Sequence, residues 1–390
     1  MKKFLAVMIL MLSLMNVACA ETSDEFCWKY FATLNKDENI FYSPYGIHDA
    51  LSILANGASG DTQREILNAL SIDKVEALNA AHKNFSENDN FAEATLLLID
   101  KKVFGRGLDK NFKRVVTAVY NSDVLEADFA NNLDGEKQKI SRRVSDKTKN
   151  FIPNYKSIVT SDALTDLLNV VYFKGDWAIP FKARDTSRQD FKNRDGSKVK
   201  VDMMGKVFKT GIAYCADGKF KGIKLPYTAN AAMYLILPAD DNALNVAELW
   251  DAETFSARAD FLDTLKKSPA FDGEVVVRLP KFELDIENNL VENFKAMGIK
   301  KSFTDDAEFF YIVKDTSLKI GNAQHRAKVK VDEQGTEAAA VTEITIVEAT
   351  AVPDFQPPRR VYFLAERPFI FLIREVESGT ILFAGAVNKF

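Results

Sequence analysis

The sequence predicts one large α+β domain, and three observations support this. Apolar residues at helical spacing dominate the first part of the chain, and strand-like apolar runs dominate from Leu164 onward. No repeat, low-complexity tract or Gly/Ser linker divides residues 21–390. Helices followed by strands without a linker are typical of the α+β class. The composition is 47% hydrophobic and 27% charged, which is typical of a globular protein and excludes a disordered or collagen-like chain.

Residues 1–20 have the three parts of an export signal. Residues 1–3 are basic, residues 4–14 form an apolar run, and Ala18-Cys19-Ala20 is a small-residue cleavage site. The run is shorter than the roughly 20 apolar residues that a transmembrane helix needs. Asn16 is a poor match to a lipidation signal, which favours cleavage over a lipid anchor at Cys19. We therefore expect a secreted, periplasmic or extracellular protein without a transmembrane segment.

Charge and residue counts exclude several functions. A formal net charge of −4 lacks the basic excess that sequence-independent nucleic-acid binding needs. The chain has three histidines and no H-E-x-x-H motif, so we expect no metal and no cofactor. The sequence leaves open whether Cys27 and Cys215, the two cysteines after the leader, form a disulfide. No G-x-S-x-G elbow occurs, which disfavours a secreted hydrolase, although paired carboxylates could still form an active site.

The first predicted elements are helices. Ser43 followed by Pro44 is a helix start, with Pro at the first helical position, and Asp61 is a candidate cap for the next helix. His48 would lie on the surface of the first helix. Apolar residues three and four apart predict helices over residues 44–56 and 61–70, and a further helix is expected over residues 133–149.

Strands dominate the second half. Residues 166–173 form a nearly continuous apolar run that is typical of a central strand buried on both faces. Further strands are predicted over residues 233–238, 275–280, 369–373 and 381–385.

The segment from Gly335 to Pro358 has no helical pattern and a proline-rich end. A structureless stretch of that length inside a compact domain is either disordered or functional. Uncharged side chains occupy even positions from Thr336 to Ile346, whereas Glu337 and Glu343 stand at odd positions. This period of two is the pattern of a strand with one buried face. We therefore interpret the segment as a loop that can become a strand.

Five motifs, in the expected order from about residue 25 to residue 390, resemble the serpin family. They are Asn39–Pro44 (NIFYSP), residues 169–181 (NVVYFKGDWAIPF), His325-Arg326-Ala327, residues 331–340 (VDEQGTEAAA) and residues 366–383 (ERPFIFLIREVESGTILF). The resemblance implies the serpin fold, with a helical N-terminal part, a large mixed main sheet, two further sheets and an exposed reactive-centre loop at about 333–358. Residues 21–390 would then form a single serpin domain.

The resemblance also assigns roles to individual residues. The hinge of the reactive loop would comprise Glu333, Gly335, Thr336, Ala338, Ala339 and Ala340. The shutter, beneath the strands that separate, would comprise Ser43, Asn169 and His325, and Trp177 would lie at the breach where the loop enters the sheet. The reactive bond would be Ala349–Thr350, because Ala349 lies fourteen positions after the hinge glycine. No residue is assigned a catalytic role, because serpins are not enzymes.

The implied function is suicide-substrate inhibition of a serine protease, which is trapped as an acyl-enzyme when the cleaved loop inserts into the main sheet. The small side chain of Ala349 fits an elastase-like pocket, and a subtilisin-like target fits nearly as well. The alternative is a non-inhibitory serpin that acts as a substrate, carrier or chaperone-like scaffold. We expect a monomer in which a sheet with an open slot makes loop–sheet polymerisation a hazard.

Three features depart from the family pattern. Gly46 stands where serpins usually have serine, which bears on metastability. The usual Asn-x-Trp-Val is replaced by residues 141–144, Ser-Arg-Arg-Val. The loop is also several residues longer than in most relatives, around residues 357–360, so the anchoring of its far side is left open.

Overall fold

The structure, a computed structural model, describes residues 24–82, 90–246, 255–314, 318–336 and 358–390. It has an α+β architecture in which helices pack against three β-sheets, one of them large and mixed. The first helix, α1, covers residues 24–32. The other helices are α2 (Pro44–Gly57), α3 (Gly60–Ala69), α4 (Val75–Ala81), α5 (Lys101–Phe104), α6 (Lys110–Ala118), α7 (Phe129–Lys147), α8 (Phe255–Lys267) and α9 (Val291–Ala296).

Among the residues that the structure describes, the main sheet contains seven strands in the order β3-β2-β4-β13-β14-β5, with β12 paired to the other side of β13. Its central strands, β4 and β13, run parallel, whereas β2 and β12 run antiparallel to them. The strands are β2 (Phe91–Asp100), β3 (Asp123–Ala127), β4 (Thr165–Phe173), β5 (Gly175–Asp176), β12 (Phe282–Asn289), β13 (Asn322–Val331) and β14 (Gly335–Thr336).

Two smaller sheets complete the fold. The six-stranded sheet has the order β1-β17-β16-β10-β9-β8 and the four-stranded sheet has the order β15-β11-β7-β6. The first comprises β1 (Ile40–Tyr42), β8 (Ala213–Ala216), β9 (Phe220–Pro226), β10 (Ala231–Pro238), β16 (Phe369–Glu375) and β17 (Ile381–Val387). The second comprises β6 (Thr186–Lys192), β7 (Lys198–Phe208), β11 (Glu274–Pro280) and β15 (Arg360–Leu364).

The main sheet is covered on both faces. Its inner face packs on α2 and on the six-stranded sheet, through side chains such as Leu97 and Leu167. Its outer face packs against α7, where Phe129, Ile140 and Val144 meet Leu168. Since β4 is buried along its whole length, its sequence is apolar nearly throughout instead of alternating.

Most predicted elements are confirmed, within a few residues at their ends. Ser43 caps α2 by accepting a hydrogen bond from the Gly46 amide, with Pro44 at the first helical position. The assignment of Asp61 as a cap is wrong, because Ser59 occupies the cap position and Asp61 lies in the first turn. The helix predicted over 133–149 starts earlier, at Phe129, and is kinked at Asn132.

The simple order of helices followed by strands is also wrong. Strands β2 and β3 occur among the early helices, and β2 lies between β3 and β4 in the main sheet. His48 is only partly exposed, since its ring packs edge-on against Phe26 with centroids 5.5 Å apart. Cys27 and Cys215 are both thiols in this structure, and Cys27 lies beside the Tyr42 hydroxyl.

Several predictions fall outside the described residues. These are the leader over residues 1–20 and the loop residues 337–357, which include Ala338, Ala339, Ala340, Ala349 and Thr350. Within the described ranges, no helix combines the length and the apolar character needed to cross a membrane.

Candidate functional site

The centre of the main sheet contains a slot that is closed at one end and occupied at the other. At the closed end β4 and β13 pair directly, from Asn322 opposite Asp166 to Lys328 opposite Tyr172. Beyond this point β14 lies between β13 and β5, the short strand that follows β4. It pairs with β13 through Thr336 opposite Val331, and with β5 through Gly335 opposite Asp176. The first residues of the predicted hinge therefore already form a short strand at the mouth of the slot.

Gly335 and Thr336 fit this position closely. A Cβ atom on Gly335 would lie 2.1 Å from the carbonyl oxygen of Gly175, so any larger residue would push the strands apart. Thr336 is completely buried, and its hydroxyl lies 2.7 Å from the hydroxyl of Tyr227. The Thr336 side chain therefore points into the protein.

Trp177, the predicted breach residue, covers this position. Its indole stacks on the Tyr227 ring with centroids 4.6 Å apart and an interplanar angle of 9°. The indole N–H donates to the carbonyl of Asp332 over 3.0 Å, and the backbone N–H donates to Gln334 over 2.7 Å. Trp177 thus holds the turn that leads from β13 into the hinge.

Glu333 fixes the other side of the same turn. Its carboxylate forms an ion pair with Lys281 at 2.8 Å and accepts a hydrogen bond from the Thr186 hydroxyl at 2.8 Å. Burial alone would raise the pKa of Glu333, but the bonds from Lys281, its own backbone and Thr186 outweigh burial and lower it. Glu333 is therefore anchored as a carboxylate outside the slot.

The three predicted shutter residues lie together at the closed end. The Ser43 backbone N–H donates to Nε2 of His325 over 2.9 Å, so Nε2 carries no proton. Burial lowers the pKa of His325 to about 3, which keeps the ring neutral with its proton on Nδ1. Nδ1 therefore donates to Oδ1 of Asn169 over 2.7 Å, and this bond crosses from β13 to β4. Separating the two strands must break it.

The amide group of Asn169 continues the network away from the slot. Its Nδ2 donates to Oε1 of Glu93 and to Oγ1 of Thr95, both over 2.7 Å. The Ser43 hydroxyl donates to the carbonyl of Leu382 in β17 over 2.7 Å. The shutter is therefore one hydrogen-bonded chain that links α2, β2, β4, β13 and the C-terminal hairpin.

Gly46 provides the space that Asn169 occupies. A Cβ atom at position 46 would lie 2.4 Å from Oδ1 of Asn169 and 2.7 Å from a methyl group of Val171. The glycine therefore accommodates this placement of the Asn169 amide.

The sequence missed three residues that the structure places in the site, namely Tyr227, Glu93 and Thr95. Tyr227 follows β9 and has no motif around it. Glu93 and Thr95 stand two residues apart in β2, so their side chains lie on the same face of the strand. Two polar residues on one face of an otherwise apolar strand are the signal that could have identified them.

Comparison with known proteins identifies the family. A family model described as "Serpin (serine protease inhibitor)" matches residues 21–390. The chain belongs to the serpin family. Iripin-1 from Ixodes ricinus is 30% identical to it over 366 residues, which cover 90% of this chain and 89% of Iripin-1. Antichymotrypsin-2 from Bombyx mori is 30% identical over 382 residues, covering 94% of this serpin and 96% of the relative.

Solved structures show the same fold. The native state of tengpin, a thermophilic serpin, superposes with a TM-score of 0.81 at 24% identity and covers 95% of this chain and 94% of its own. Human thyroxine-binding globulin, solved in complex with thyroxine, superposes with a TM-score of 0.80 at 24% identity, over 96% of this chain and 99% of its own. At this identity the likeness concerns the fold alone.

Proposed function

We propose that this serpin is a suicide-substrate inhibitor of serine proteases, with Ala349–Thr350 as the reactive bond. It would act outside the cytoplasm after removal of residues 1–20, as a single domain over 21–390. The observation that carries the proposal is the position of Gly335 and Thr336, which already pair with β5 and β13 at the mouth of the slot.

Insertion of the rest of the loop follows from this register. Thr336 faces inward, so Ala338, Ala340, Thr342, Ile344 and Ile346 would face inward after it, whereas Glu337 and Glu343 would face solvent. Burying these inward side chains is favourable, because none carries a charge and the first are small. At about 3.3 Å per residue, the fourteen steps from Gly335 to Ala349 span roughly 46 Å.

The chemistry begins as ordinary proteolysis. The protease serine attacks the carbonyl carbon of Ala349, the bond to Thr350 breaks, and the amine of Thr350 leaves with a proton from the protease histidine. The freed loop then inserts and carries the ester-linked protease with it. Deacylation requires the oxyanion donors and the histidine to be placed within fractions of an ångström, so distortion of the protease would stop it.

The sequence around the proposed reactive bond favours a protease whose primary specificity pocket is small and apolar. Ala349 is flanked by Glu348, Thr350 and Ala351, and none of these supplies the cation that a trypsin-like pocket selects. An elastase-like enzyme fits best, and a subtilisin-like enzyme is the other candidate. Antichymotrypsin-2 and the antitrypsin of Bombyx mori carry names that denote protease inhibition, which supports the inhibitory assignment.

Mixing the mature protein with an elastase-like protease tests the proposal, with denaturing electrophoresis and mass spectrometry as the readout. A covalent one-to-one complex and a released peptide that begins at Thr350 are the expected result. Complete cleavage at Ala349 without a complex, for both elastase-like and subtilisin-like enzymes, would contradict inhibition and favour the non-inhibitory alternative.

A further inference from the structure

Residues 101–118 carry a concentration of positive charge that the insertion mechanism does not use. They form α5, a turn and α6, and they contain six lysine and arginine residues and one aspartate, in a chain whose formal net charge is −4. All six cations are exposed. Lys101 forms an ion pair with Asp128, whereas the other five have no carboxylate partner in the part of the chain that the structure describes. We call these five the basic face: Lys102, Arg106, Lys110, Lys113 and Arg114.

The helix α6 places three of these cations on one side. Lys110, Lys113 and Arg114 are three and four residues apart, so their side chains leave the helix in similar directions. The opposite side packs into the core through Phe112. The aspartate of this segment, Asp109, directs its carboxylate to the first helical turn, where it accepts hydrogen bonds from two backbone N–H groups. The basic face therefore keeps a large excess of positive charge.

Two exposed aromatic rings lie beside the start of α6. Phe310 and Tyr311 are 43% and 55% exposed, and we call them the aromatic pair. Backbone hydrogen bonds hold their loop on both sides. The Tyr311 N–H donates to the carbonyl of Gly57 over 3.1 Å, and the Asp109 N–H donates to the carbonyl of Ile312 over 2.9 Å. Because Asp109 caps α6, the aromatic pair adjoins the basic face.

Most of the acidic residues close to the aromatic pair in sequence are neutralised by lysines. Glu308 forms an ion pair with Lys301 at 2.8 Å, and Asp305 forms one with Lys319 at 2.6 Å. Asp306 is the third acidic residue between positions 301 and 314. One such charge does not cancel the five cations of the basic face.

The basic face lies at the end of the main sheet that is opposite the hinge. Helix α5 directly follows β2, in which Ile99 pairs with Thr165 at the start of β4. The hinge instead follows the end of β13, which runs parallel to β4. The ten residues of β13 span roughly 33 Å at about 3.3 Å per residue. A large partner can therefore cover the basic face without contacting the hinge.

Cations next to exposed rings favour one kind of partner. Exposed cations attract any anionic surface, whether its charges are phosphates or sulfates. Aromatic rings add affinity at a membrane, where they lie at the level of the headgroups, whereas a sulfated polysaccharide is bound mainly through its charges. Peripheral membrane binding grows with the apolar area that is buried and with the attraction to anionic lipids. The basic face and the aromatic pair supply both contributions.

We propose that the basic face and the aromatic pair dock this serpin on an anionic phospholipid membrane. The cations lie among the headgroups and the two rings lie in the interfacial layer. The hinge, at the other end of the main sheet, then lies away from the lipid. The inference is independent of protease inhibition, since a non-inhibitory serpin can bind a membrane in the same way.

Vesicle sedimentation tests the docking on residues 21–390, because the apolar run over residues 4–14 would itself bind lipid. Vesicles of phosphatidylcholine with about 30% phosphatidylglycerol are compared with vesicles of phosphatidylcholine alone. The wild type should sediment with the anionic vesicles only, and raising the salt concentration from about 0.1 M to about 0.5 M should release it. Equal binding to both kinds of vesicle, or no binding to the anionic ones, would overturn the inference.

The variant Lys110→Gln/Lys113→Gln tests the basic face. Each cation near an anionic membrane contributes about fivefold to partitioning, so this variant should bind about 25-fold more weakly. The matched control is Lys182→Gln/Lys198→Gln, which removes the same charge from exposed positions beside and within the four-stranded sheet. The control should bind within about threefold of the wild type. An equal loss in both variants would show that net charge alone matters and would contradict the docking.

The variant Phe310→Ser/Tyr311→Ser keeps every charge and removes both rings. It should bind anionic vesicles about tenfold more weakly. Val207→Ser/Tyr362→Ser is its control, because these residues are 45% and 51% exposed on the four-stranded sheet, and it should bind like the wild type.

Unchanged vesicle binding after removal of the aromatic pair would contradict membrane docking. The basic face would then serve a soluble polyanion, for which heparin and a single-stranded oligonucleotide are the probes. Circular dichroism checks that each variant is folded. Should the double aromatic variant fail to fold, Tyr311→Ser alone decides, with an expected loss of about threefold.

Discussion

Two buried strand pairs in this serpin are built from different side chains. The C-terminal hairpin, β16 and β17, is buried along its whole length and packs through aromatic rings, with Phe371 and Phe383 both stacked on Phe41 at 5.7 and 5.4 Å. In the other pair β4 is buried along its whole length and β13 is buried at most positions, yet this pair carries polar side chains at its boundary, among them Asn169 and His325.

The difference matches what the proposed insertion mechanism requires of each pair. An apolar interface of interlocking rings loses its packing at once when it is separated, so it suits strands that stay together. Hydrogen-bonded polar groups can exchange one partner for another, which suits strands that must part and admit a third. The polar boundary makes the closed state less stable than an apolar boundary would. A kinetically trapped native state tolerates this loss, because its lifetime depends on the barrier to conversion.

The largest expected effect comes from Thr336→Arg at the mouth of the slot. A guanidinium cannot occupy the buried site beside Tyr227 without losing its hydration, so insertion should stall at its first step. The variant should still be cleaved at Ala349 but should form almost no covalent complex in the electrophoresis assay. Thr336→Ser, which keeps the hydroxyl, is the control, and full complex formation by Thr336→Arg would count against insertion.

Phe371→Ala tests the other side of the comparison. The ring is completely buried and contacts Phe41 and Phe282, so its removal should lower the free energy of unfolding by about 3–5 kcal/mol. Denaturant titration measures this loss. At a temperature where the variant is folded, it should inhibit with unchanged stoichiometry, because the hairpin does not separate during insertion. A loss of inhibition equal to that of Thr336→Arg would contradict the proposed difference between the C-terminal hairpin and the β4–β13 pair.

Gly46→Ser probes how closely the shutter is fitted. The new Cβ would lie 2.4 Å from Oδ1 of Asn169, so Asn169 must move and its bond to His325 must weaken. We expect a loss of about 1–3 kcal/mol in native stability and faster conversion to polymers on mild heating, followed by native electrophoresis. Gly46→Ala adds the same carbon without a hydroxyl and should behave alike. Unchanged stability in both variants would show that Asn169 is not confined by position 46.

The smallest effect is expected for Ser43→Ala. The substitution removes the cap on the Gly46 amide and the hydrogen bond to Leu382, but it leaves the backbone N–H that binds His325. A loss of about 1–2 kcal/mol in unfolding free energy is expected by denaturant titration, with little change in the rate of polymer formation on mild heating. A polymerisation rate that rises more than in Gly46→Ser would mean that the Ser43 hydroxyl, rather than the placement of Asn169, controls separation of β4 and β13.

The sequence predicted the framework better than the contacts. Periodicity located most helices and strands. The period of two from Thr336 to Ile346 stays a prediction of a loop that can become a strand, because residues 337–346 lie outside the described residues. His325 alone would be an ordinary strand histidine, and only the family resemblance placed it with Ser43 and Asn169. Their sequence separation explains why: Ser43 and His325 stand 282 positions apart along the chain, and local patterns carry no information on such pairs.

Glu93 and Thr95 were not predicted for a related reason. Glu93 lies in a strand that is buried on both faces, where apolar periodicity is lost and one acidic residue gives no clear signal. His48 was expected on the surface because its helix is amphipathic, but α1 covers that side of the helix through Phe26. In both cases tertiary packing, rather than local sequence, decides the environment.

The central claim is that the slot between β4 and β13 accepts the reactive loop. The most direct test is to cleave the loop at Ala349–Thr350 without trapping the protease, and to compare thermal unfolding of the intact and cleaved chains. Insertion adds a strand to the main sheet, so the unfolding midpoint should rise well above that of the intact chain, and the cleaved Thr336→Arg variant should rise less. An unchanged midpoint after complete cleavage of the wild type would contradict insertion.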